Sequence, residues 1–293
     1  MHVVRAQAMG MCFGVKDALL VAQRIANPHD VTIHGELVHN EKVNDSLRQN
    51  GFQISGEVGR SIPRTPEVMI TAHGVSDRER KKLQDAGKIV YDTTCPLVRR
   101  AHQVALRLAS AGWHIVIAGK KGHVEVAGLA GDLHNPTIIS SPEDVTLLPY
   151  SQIAVVCQTT LQSKVAAEVV EALKQKNPAS EVRLFDTICR PTRERQAAMV
   201  KLLTECEAVV VVGGVHSNNT RQLVAVAKAS GKPTVHVQGA QQIDEDWAAQ
   251  FAVVGVTAGT STPDEDIDAV CERLERIAPA RVHAGVASQV VSA

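Results

Sequence analysis

The chain has 293 residues, 44% hydrophobic and 3% aromatic, with 31 basic and 31 acidic side chains and a formal net charge of zero. That length suits two or three domains with cores of their own. Balanced charge argues against nucleic acid or an anionic membrane as the main partner, and so few aromatics leave little for a base-stacking platform. The start, MHVVRAQAMG, lacks a charged segment followed by a long apolar one, and runs such as AVVVVGG are too short to span a bilayer. A soluble, cytoplasmic protein is expected, with no membrane and no nucleic-acid partner. Its six cysteines should be free, ligating or catalytic rather than disulfide-bonded.

The first segment, HVVRAQAMGMC, is a β-prone run leading through a small turn to Cys12, with the helix-like VKDALLVAQRIA behind it. IHGELVHN then carries a strand into a loop with His39, and VMITAHGVSD carries another to His73. KIVYDTTC repeats the first pattern and ends at Cys95. In the helix that follows, Leu97, Ala101, Val104, Ala105 and Leu108 share one face, and Pro96 suits its first turn. HIVIAGKKGHVEVAG brings His123 and Glu125, and IAVVCQTTLQS brings Thr159 and Thr160. VRLFDTIC gives the pattern a third time, ending at Cys189; Pro191 follows, and Met199, Leu202, Leu203 and Cys206 line the next helix. AVVVVGGVHSNNT then presents Ser217 and Asn219, TVHV is a further strand, and FAVVGVTAGTSTPDED presents Ser261.

Strands alternating with helices indicate an α/β protein with parallel sheets. The three cysteine segments lie 83 and 94 residues apart, too far for a local zinc knuckle and about right for three stacked modules. The expected modules are 13–95, 96–189 and 190–279, with residues 1–12 supplying a strand to the third and 280–293 forming a tail. Around a pseudo-threefold axis the three cysteines would meet at the centre, each at a helix N-terminus, where a thiolate is favoured. Ligands of open α/β sheets bind beyond the carboxyl ends of the strands, and all nine loops would belong to that edge.

Three thiolates suit an iron–sulfur cluster or a metal with one ligand position left open. A closed structural zinc site would call for four ligands, often in local C-x-x-C pairs, which the chain lacks. Cys157, Cys206 and Cys271 sit in apolar patterns outside the repeated context and read as small buried hydrophobes. His2, His29, His102, His114, His134, His236 and His283 read as surface or satisfied core residues. His39, His73 and His123, with Ser, Asn and backbone N–H groups, could cradle phosphate oxygens, although turn chemistry accounts equally well for Ser217, Asn219 and Ser261. Glu125 is either a proton carrier beside such a site or a solvated loop acid. No G-x-x-x-x-G-K-[ST] or G-x-G-x-x-G motif is present, which argues against a nucleoside triphosphate or dinucleotide site.

Nine motifs in order carry a resemblance: CFGV, LVHN, TAHGVS, DTTCPLV, GHVEVAG, QTTL, DTICRPTRERQ, HSNNT and GVTAGTSTPD. From about residue 8 to about residue 265 the chain resembles the 4-hydroxy-3-methylbut-2-enyl diphosphate reductases (the LytB/IspH family). The resemblance implies three α/β domains around a [4Fe–4S] cluster held by Cys12, Cys95 and Cys189. It implies that His39, His73 and His123, with Ser217, Asn219 and Ser261, hold a substrate diphosphate. By the same match Glu125 delivers protons, and Thr159 contacts substrate near that relay. The implied reaction is a two-electron reductive removal of the C4 hydroxyl, giving isopentenyl and dimethylallyl diphosphates. It is the last step of the non-mevalonate isoprenoid route. With no flavin or nicotinamide motif in view, a ferredoxin- or flavodoxin-like donor should supply single electrons. Residues 213–220 depart from the family's G-S-K-N-S-S-N-S: Val215 and His216 replace Lys–Asn, and Asn218, whose amide can still donate to phosphate, replaces the second Ser. A paralogue reducing another allylic diphosphate, or an iron–sulfur sensor on the same scaffold, are the alternatives. A third is a phosphate-binding α/β protein whose cysteines are incidental.

Overall fold

A computed structural model describes residues 1–57 and 59–278. The expected tail, 280–293, and the last residue of the third expected module lie outside the described residues. Twelve strands among the described residues form three four-stranded sheets, and every strand pair is parallel. One sheet holds β2 (Val31–His34), β3 (Gln53–Ile54), β4 (Glu67–Ile70) and β5 (Ile89–Asp92) in the order β3-β2-β4-β5. The next holds β6 (His114–Ala118), β7 (Thr137–Ile139), β8 (Gln152–Cys157) and β9 (Glu181–Phe185) in the order β7-β6-β8-β9. The last holds β10 (Ala208–Val212), β11 (Thr234–Val237) and β12 (Val253–Ala258), closed by β1 (His2–Arg5) from the other end of the chain, in the order β1-β12-β10-β11.

Each sheet therefore has its second strand outermost, then the first, third and fourth. In the third sheet the N-terminal strand takes the fourth place, with Val3 opposite Val254 and Val4 opposite Gly255. Central strands are buried on both faces, which is why their sequences run apolar without alternation; HIVIA and AVVVV are buried at every residue. The fourth strands lie at sheet edges and are less buried, as in EVRLF of β9, where three of five residues are exposed.

The helix after each cysteine leaves the sheet that delivered it. α1 (Phe13–Gln23) follows β1 but buries Val15, Ala18 and Ala22 against Val31, Ile33 and Met69 of the first sheet. α4 (Pro96–Ser110) follows β5 but packs Ala101 and Ala105 onto Ile115, Ile117 and Val156 of the second. α7 (Arg190–Glu205) follows β9 but packs Ala198, Met199 and Leu202 onto Val209 and Val211 of the third. Each cysteine thus stands where the chain crosses from one sheet to the next. Pro96 and Pro191 occupy the first turns of their helices, where a missing N–H costs nothing. Cys157, Cys206 and Cys271 are buried in the hydrophobic clusters.

Candidate active site

In a parallel sheet of this strand order the first and third strands are neighbours whose connections leave in opposite directions, and the crevice beyond their carboxyl ends is the natural ligand site. The first-strand loops deliver His39 after β2, His123 after β6 and Ser217 after β10. The third-strand loops deliver His73 after β4, Thr159 and Thr160 after β8, and Ser261 after β12. The fourth-strand loops deliver the three cysteines.

One hydrogen bond fixes each cysteine backbone, and it is the same bond three times. Cys95 N donates to Ala72 O at 3.0 Å, Cys189 N to Thr159 O at 2.9 Å and Cys12 N to Thr260 O at 3.2 Å. Each acceptor lies two residues past its third strand. The Asp-Thr-x-Cys segments explain the approach. Asp92 Oδ1 accepts from Thr94 N and Asp186 Oδ1 from Ile188 N, each at 3.0 Å, forming matched Asx turns. Thr93 Oγ1 and Thr187 Oγ1 each donate at 2.5 Å to the last carbonyl of the neighbouring strand, Ile70 O and Cys157 O. The Cys12 loop has no such motif and turns through Gly10 at φ 73° instead.

All three cysteines are half-buried and free, and each stands at the N-terminus of its helix. Burial pushes the Cys189 thiol up to about 11, and the negative charges of Glu125 and Cys12 add to it, while the Thr192 hydroxyl, 3.1 Å from Sγ, works against it. Cys95 is raised by burial and by the same two neighbours, against N–H groups of Leu97 and Val98. Cys95 and Cys189 therefore both lie within electrostatic reach of Cys12 and Glu125. Among the described residues, the ligand trios lying within 4.8 Å are His39–Glu57–His73 and Asp77–His102–Asp132, and the three sulfurs do not form one. A single tetrahedral zinc would draw thiolates to within about 4 Å of one another, so the wider setting suits a larger body. Gly14 makes room for the Cys95 side chain, since a Cβ there would fall 2.6 Å from Cys95 Sγ. The donor set, three soft ligands at three helix N-termini, fits an iron–sulfur cluster.

His39, His73 and His123 meet as one group. His39 stacks on His73 with ring centroids 4.2 Å apart, and His123 stands edge-on to both at 5.2 and 5.6 Å. Burial holds His123 down at about 3 and His73 well below the usual imidazole range, each helped by the neighbouring His39. Both rings are neutral at pH 7, and His73 Nδ1 is buried without a partner, the state of a site waiting for a polar ligand. His123 Nδ1 accepts from Glu125 N at 3.1 Å, capping α5 (Val124–Ala130) and fixing the tautomer with its proton on Nε2.

Glu125 is fully enclosed. Its Oε1 accepts from Thr159 N at 2.6 Å and its Oε2 from Thr159 Oγ1 at 2.9 Å. Burial raises it to about 7, against these two bonds and the charge of His39. At neutral pH the carboxyl is poised between holding and releasing a proton, as an acid–base group requires.

A narrow cavity gathers the three histidines, Glu125, Thr160, Ser217, Asn218, Asn219 and Ser261. It leaves about 40 Å³ for solvent and shares His39 and His123 with an open mouth of about 500 Å³. Thr159 does not line it; its N–H and its hydroxyl are both engaged by Glu125. Ser217 caps α8 (Asn218–Ala229) by accepting from Thr220 N at 3.3 Å. Ser261 Oγ donates to His39 O at 3.2 Å, and Asn40 Nδ2 donates to Ser261 O at 3.0 Å, locking the first sheet's loop to the third's. Asn219 Oδ1 accepts from Thr260 N at 3.0 Å, steadying the loop that holds Cys12.

The altered 213–220 loop divides in two. Val215 and His216 face outward, His216 on the mouth, where Lys120, Lys121 and Arg221 supply positive charge. Asn218 reaches the cavity, and its Nδ2 donates to Thr160 Oγ1 at 2.9 Å. Gly214 is needed for close approach, since a Cβ there would lie 2.5 Å from His39 O.

Glu57 is the residue that sequence reading missed. Its carboxylate meets His39 Nε2 at 3.1 Å; burial pushes it up, but the hydrogen bond and charge of His39 and the nearby Arg60 leave it below the usual range. No motif marks it, because only the folding of residues 55–57 over β2 brings it there.

A family model described as "LytB protein" matches residues 3–275. A 4-hydroxy-3-methylbut-2-enyl diphosphate reductase of Sodalis glossinidius is 34% identical over 94% of this chain and 89% of its own. A reductase 2 of the same name from Burkholderia mallei is 35% identical over 97% of this chain and 88% of its own. Among solved structures, the E-1-hydroxy-2-methyl-but-2-enyl-4-diphosphate reductase of Plasmodium falciparum superposes with a TM-score of 0.83 at 26% identity, covering 92% of this chain and 87% of that one. A second, an (E)-4-hydroxy-3-methyl-but-2-enyl diphosphate reductase called the terminal enzyme of the non-mevalonate pathway, gives 0.67 at 30% identity, with coverage of 94% and 100%. Matched in sequence over residues 3–275 and in fold to solved relatives, the chain belongs to the LytB protein family.

Proposed function

We propose that this protein reduces 4-hydroxy-3-methylbut-2-enyl diphosphate to isopentenyl and dimethylallyl diphosphates, the last step of the non-mevalonate isoprenoid pathway. The C4–O bond breaks, two electrons and two protons enter, and water leaves. The single observation that carries this reading is the convergence of a three-histidine pocket, a carboxyl raised to about 7 and three cysteine-bearing helix N-termini on one sheet edge.

Cys12, Cys95 and Cys189 would hold a [4Fe–4S] cluster, which when bound supplies electrons and a Lewis-acidic iron. The chain's own residues do the rest. His39, His73 and His123 would approach the diphosphate from the mouth, donating ring N–H bonds to its oxygens, with Ser217, Asn218, Asn219 and Ser261 completing the cradle. Binding the remote diphosphate fixes the reacting carbon, so that binding energy becomes orientation. Glu125 in its protonated form would give a proton to the departing hydroxyl. Thr159, bonded to both carboxyl oxygens, would position that proton rather than touch substrate. A one-electron protein donor of the ferredoxin or flavodoxin kind would deliver electrons singly. Six free thiols suit a reducing compartment, and we place the reaction in the cytoplasm. Among the described residues no helix is long and apolar enough to cross a membrane.

The test is anaerobic turnover. The protein is reconstituted with iron and sulfide, its cluster absorbance confirmed, and reduced viologen and the substrate added. Substrate-dependent dye oxidation with both isoprenoid diphosphates formed is the expected result. No oxidation by cluster-loaded protein would refute the assigned substrate and turn attention to Asn218.

A further inference from the structure

Arg195 lies six residues after Cys189, on the second turn of α7, and is only 5% exposed. Its guanidinium donates to three carbonyls: Nη1 to Pro191 O at 3.0 Å, Nη2 to Gly10 O at 2.5 Å and to Met9 O at 3.4 Å. Its Nε is buried with no partner among the described residues. The carboxylates whose field it feels, Glu194 and Asp264, are spent at the surface on Arg190 and Lys16. A buried cation is costly unless some negative charge compensates it. The ionisable groups that act on Arg195 most strongly are Cys12 and Cys189, which would supply that negative charge as ligating thiolates.

The location has two consequences. Met9 and Gly10 belong to the loop that delivers Cys12 from the third sheet, and Pro191 to the turn that follows Cys189 from the second. Arg195 therefore joins two of the three ligand-bearing loops. It also sets a permanent positive charge beside both, since a guanidinium keeps its proton at any working pH.

We propose that Arg195 is the fixed counter-charge of the three-cysteine centre and sets how readily that centre accepts an electron. The inference rests on the cluster reading above. One-electron reduction of the loaded centre by an external reductant adds one negative charge, with no change at Arg195. A cation held in a low-dielectric setting favours the more negative state, so it raises the reduction potential. Arg195 touches neither substrate nor reacting atoms and acts as a positioning and electrostatic residue.

The experiment is a redox titration of the reconstituted protein under anaerobic conditions, against dyes of known potential, with the reduced fraction read from absorbance. Arg195→Gln removes the charge. Arg195→Lys keeps the charge but replaces the planar fork, whose two Nη atoms bond the Pro191 and Gly10 carbonyls separately, by a single ammonium. At the parent midpoint the Gln variant should show a reduced-to-oxidised ratio at least tenfold lower, about 59 mV for a one-electron couple. The Lys variant should stay within threefold of the parent. An unchanged ratio in a Gln variant with the parent's iron content overturns the proposal, and so does a Lys variant that falls as far as Gln. If Gln holds no cluster, Lys decides alone: a ratio within threefold supports the charge, and a tenfold fall overturns it. A parent that takes up no cluster sinks the proposed function, whereas a loaded parent with unmoved variants sinks this inference only.

Discussion

Replacing Glu125 by Gln separates two effects of one buried carboxyl, its catalysis and its contribution to stability. The pocket raises Glu125 from 4.5 to about 7, chiefly by burial. Two and a half pH units at about 1.4 kcal/mol each amount to about 3 kcal/mol. The sign follows from proton binding: between pH 4.5 and 7 the folded chain keeps a proton that the unfolded chain releases. The associated stability is complete below pH 4.5 and lost as the pH rises through 7. Gln has no such dependence. Its carbonyl can still accept from Thr159 N, and its amide can donate to a turned Thr159 Oγ1, so the local cost is about 1 kcal/mol. The variant should therefore be slightly less stable than the parent near pH 4.5 and about 2 kcal/mol more stable near pH 8. Urea unfolding of both cluster-free proteins at the two pH values measures this, and shared histidine effects cancel in the difference. In turnover the same variant should keep its cluster absorbance and ligand binding but lose 10²- to 10⁴-fold in rate, the usual worth of a placed general acid. A stability difference that does not change with pH would refute the burial argument, and parent-like turnover would remove Glu125 from the mechanism.

Thr159→Val deletes the bond from Oγ1 to Glu125 and leaves the backbone bond; since both bonds hold the carboxyl down, its pKa should rise further. The alkaline limb of the pH–rate profile should move upward with about a tenfold loss in rate, and an unmoved limb would refute the positioning role. Gly14→Ala would put a Cβ 2.6 Å from Cys95 Sγ. Although Ala favours a helix by about 1 kcal/mol, iron content after reconstitution should fall severalfold, while a full complement of iron would show that the cradle has slack. His73 and His123 are buried neutral, so the unfolded chain binds more protons than the folded one between about pH 3 and 6.5. The cluster-free protein should lose stability as the pH falls below 6.5, and His123→Gln should flatten that loss in urea midpoints.

What the sequence made legible was what local rules govern. Parallel central strands announce themselves as unbroken apolar runs, and the Asp-Thr-x-Cys segments advertise a turn because their carboxylates close on nearby N–H groups. Side-chain direction was not legible. Thr159 reads as a residue at a ligand edge, yet its hydroxyl goes to Glu125, 34 residues away, because the β6 and β8 loops are neighbours only once the sheet has formed. Arg195 reads as one charge in a charged helix start, and its burial depends on Met9 and Gly10, brought in by a strand from the far end of the chain. The His39–Glu57 contact is invisible for the same reason.

The three sheets share one topology, but their loops no longer share one chemistry, and this difference gives the site a direction. At equivalent first-strand positions the first two sheets place imidazoles, His39 and His123, where the third places the hydroxyl of Ser217. At equivalent third-strand positions they place His73, Thr160 and Ser261. A ligand with threefold-equal surroundings would have no preferred orientation about the cysteine centre. Imidazoles on one side, hydroxyls and amides on another, and a single enclosed acid at the β6–β8 crevice break that equality. On the proposed function a diphosphate would be drawn to the histidine side, which would leave the opposite end of the substrate between Glu125 and the cysteines. The repeated fold supplies the convergence, and the divergence of six loop residues supplies the asymmetry that a reaction at one carbon requires.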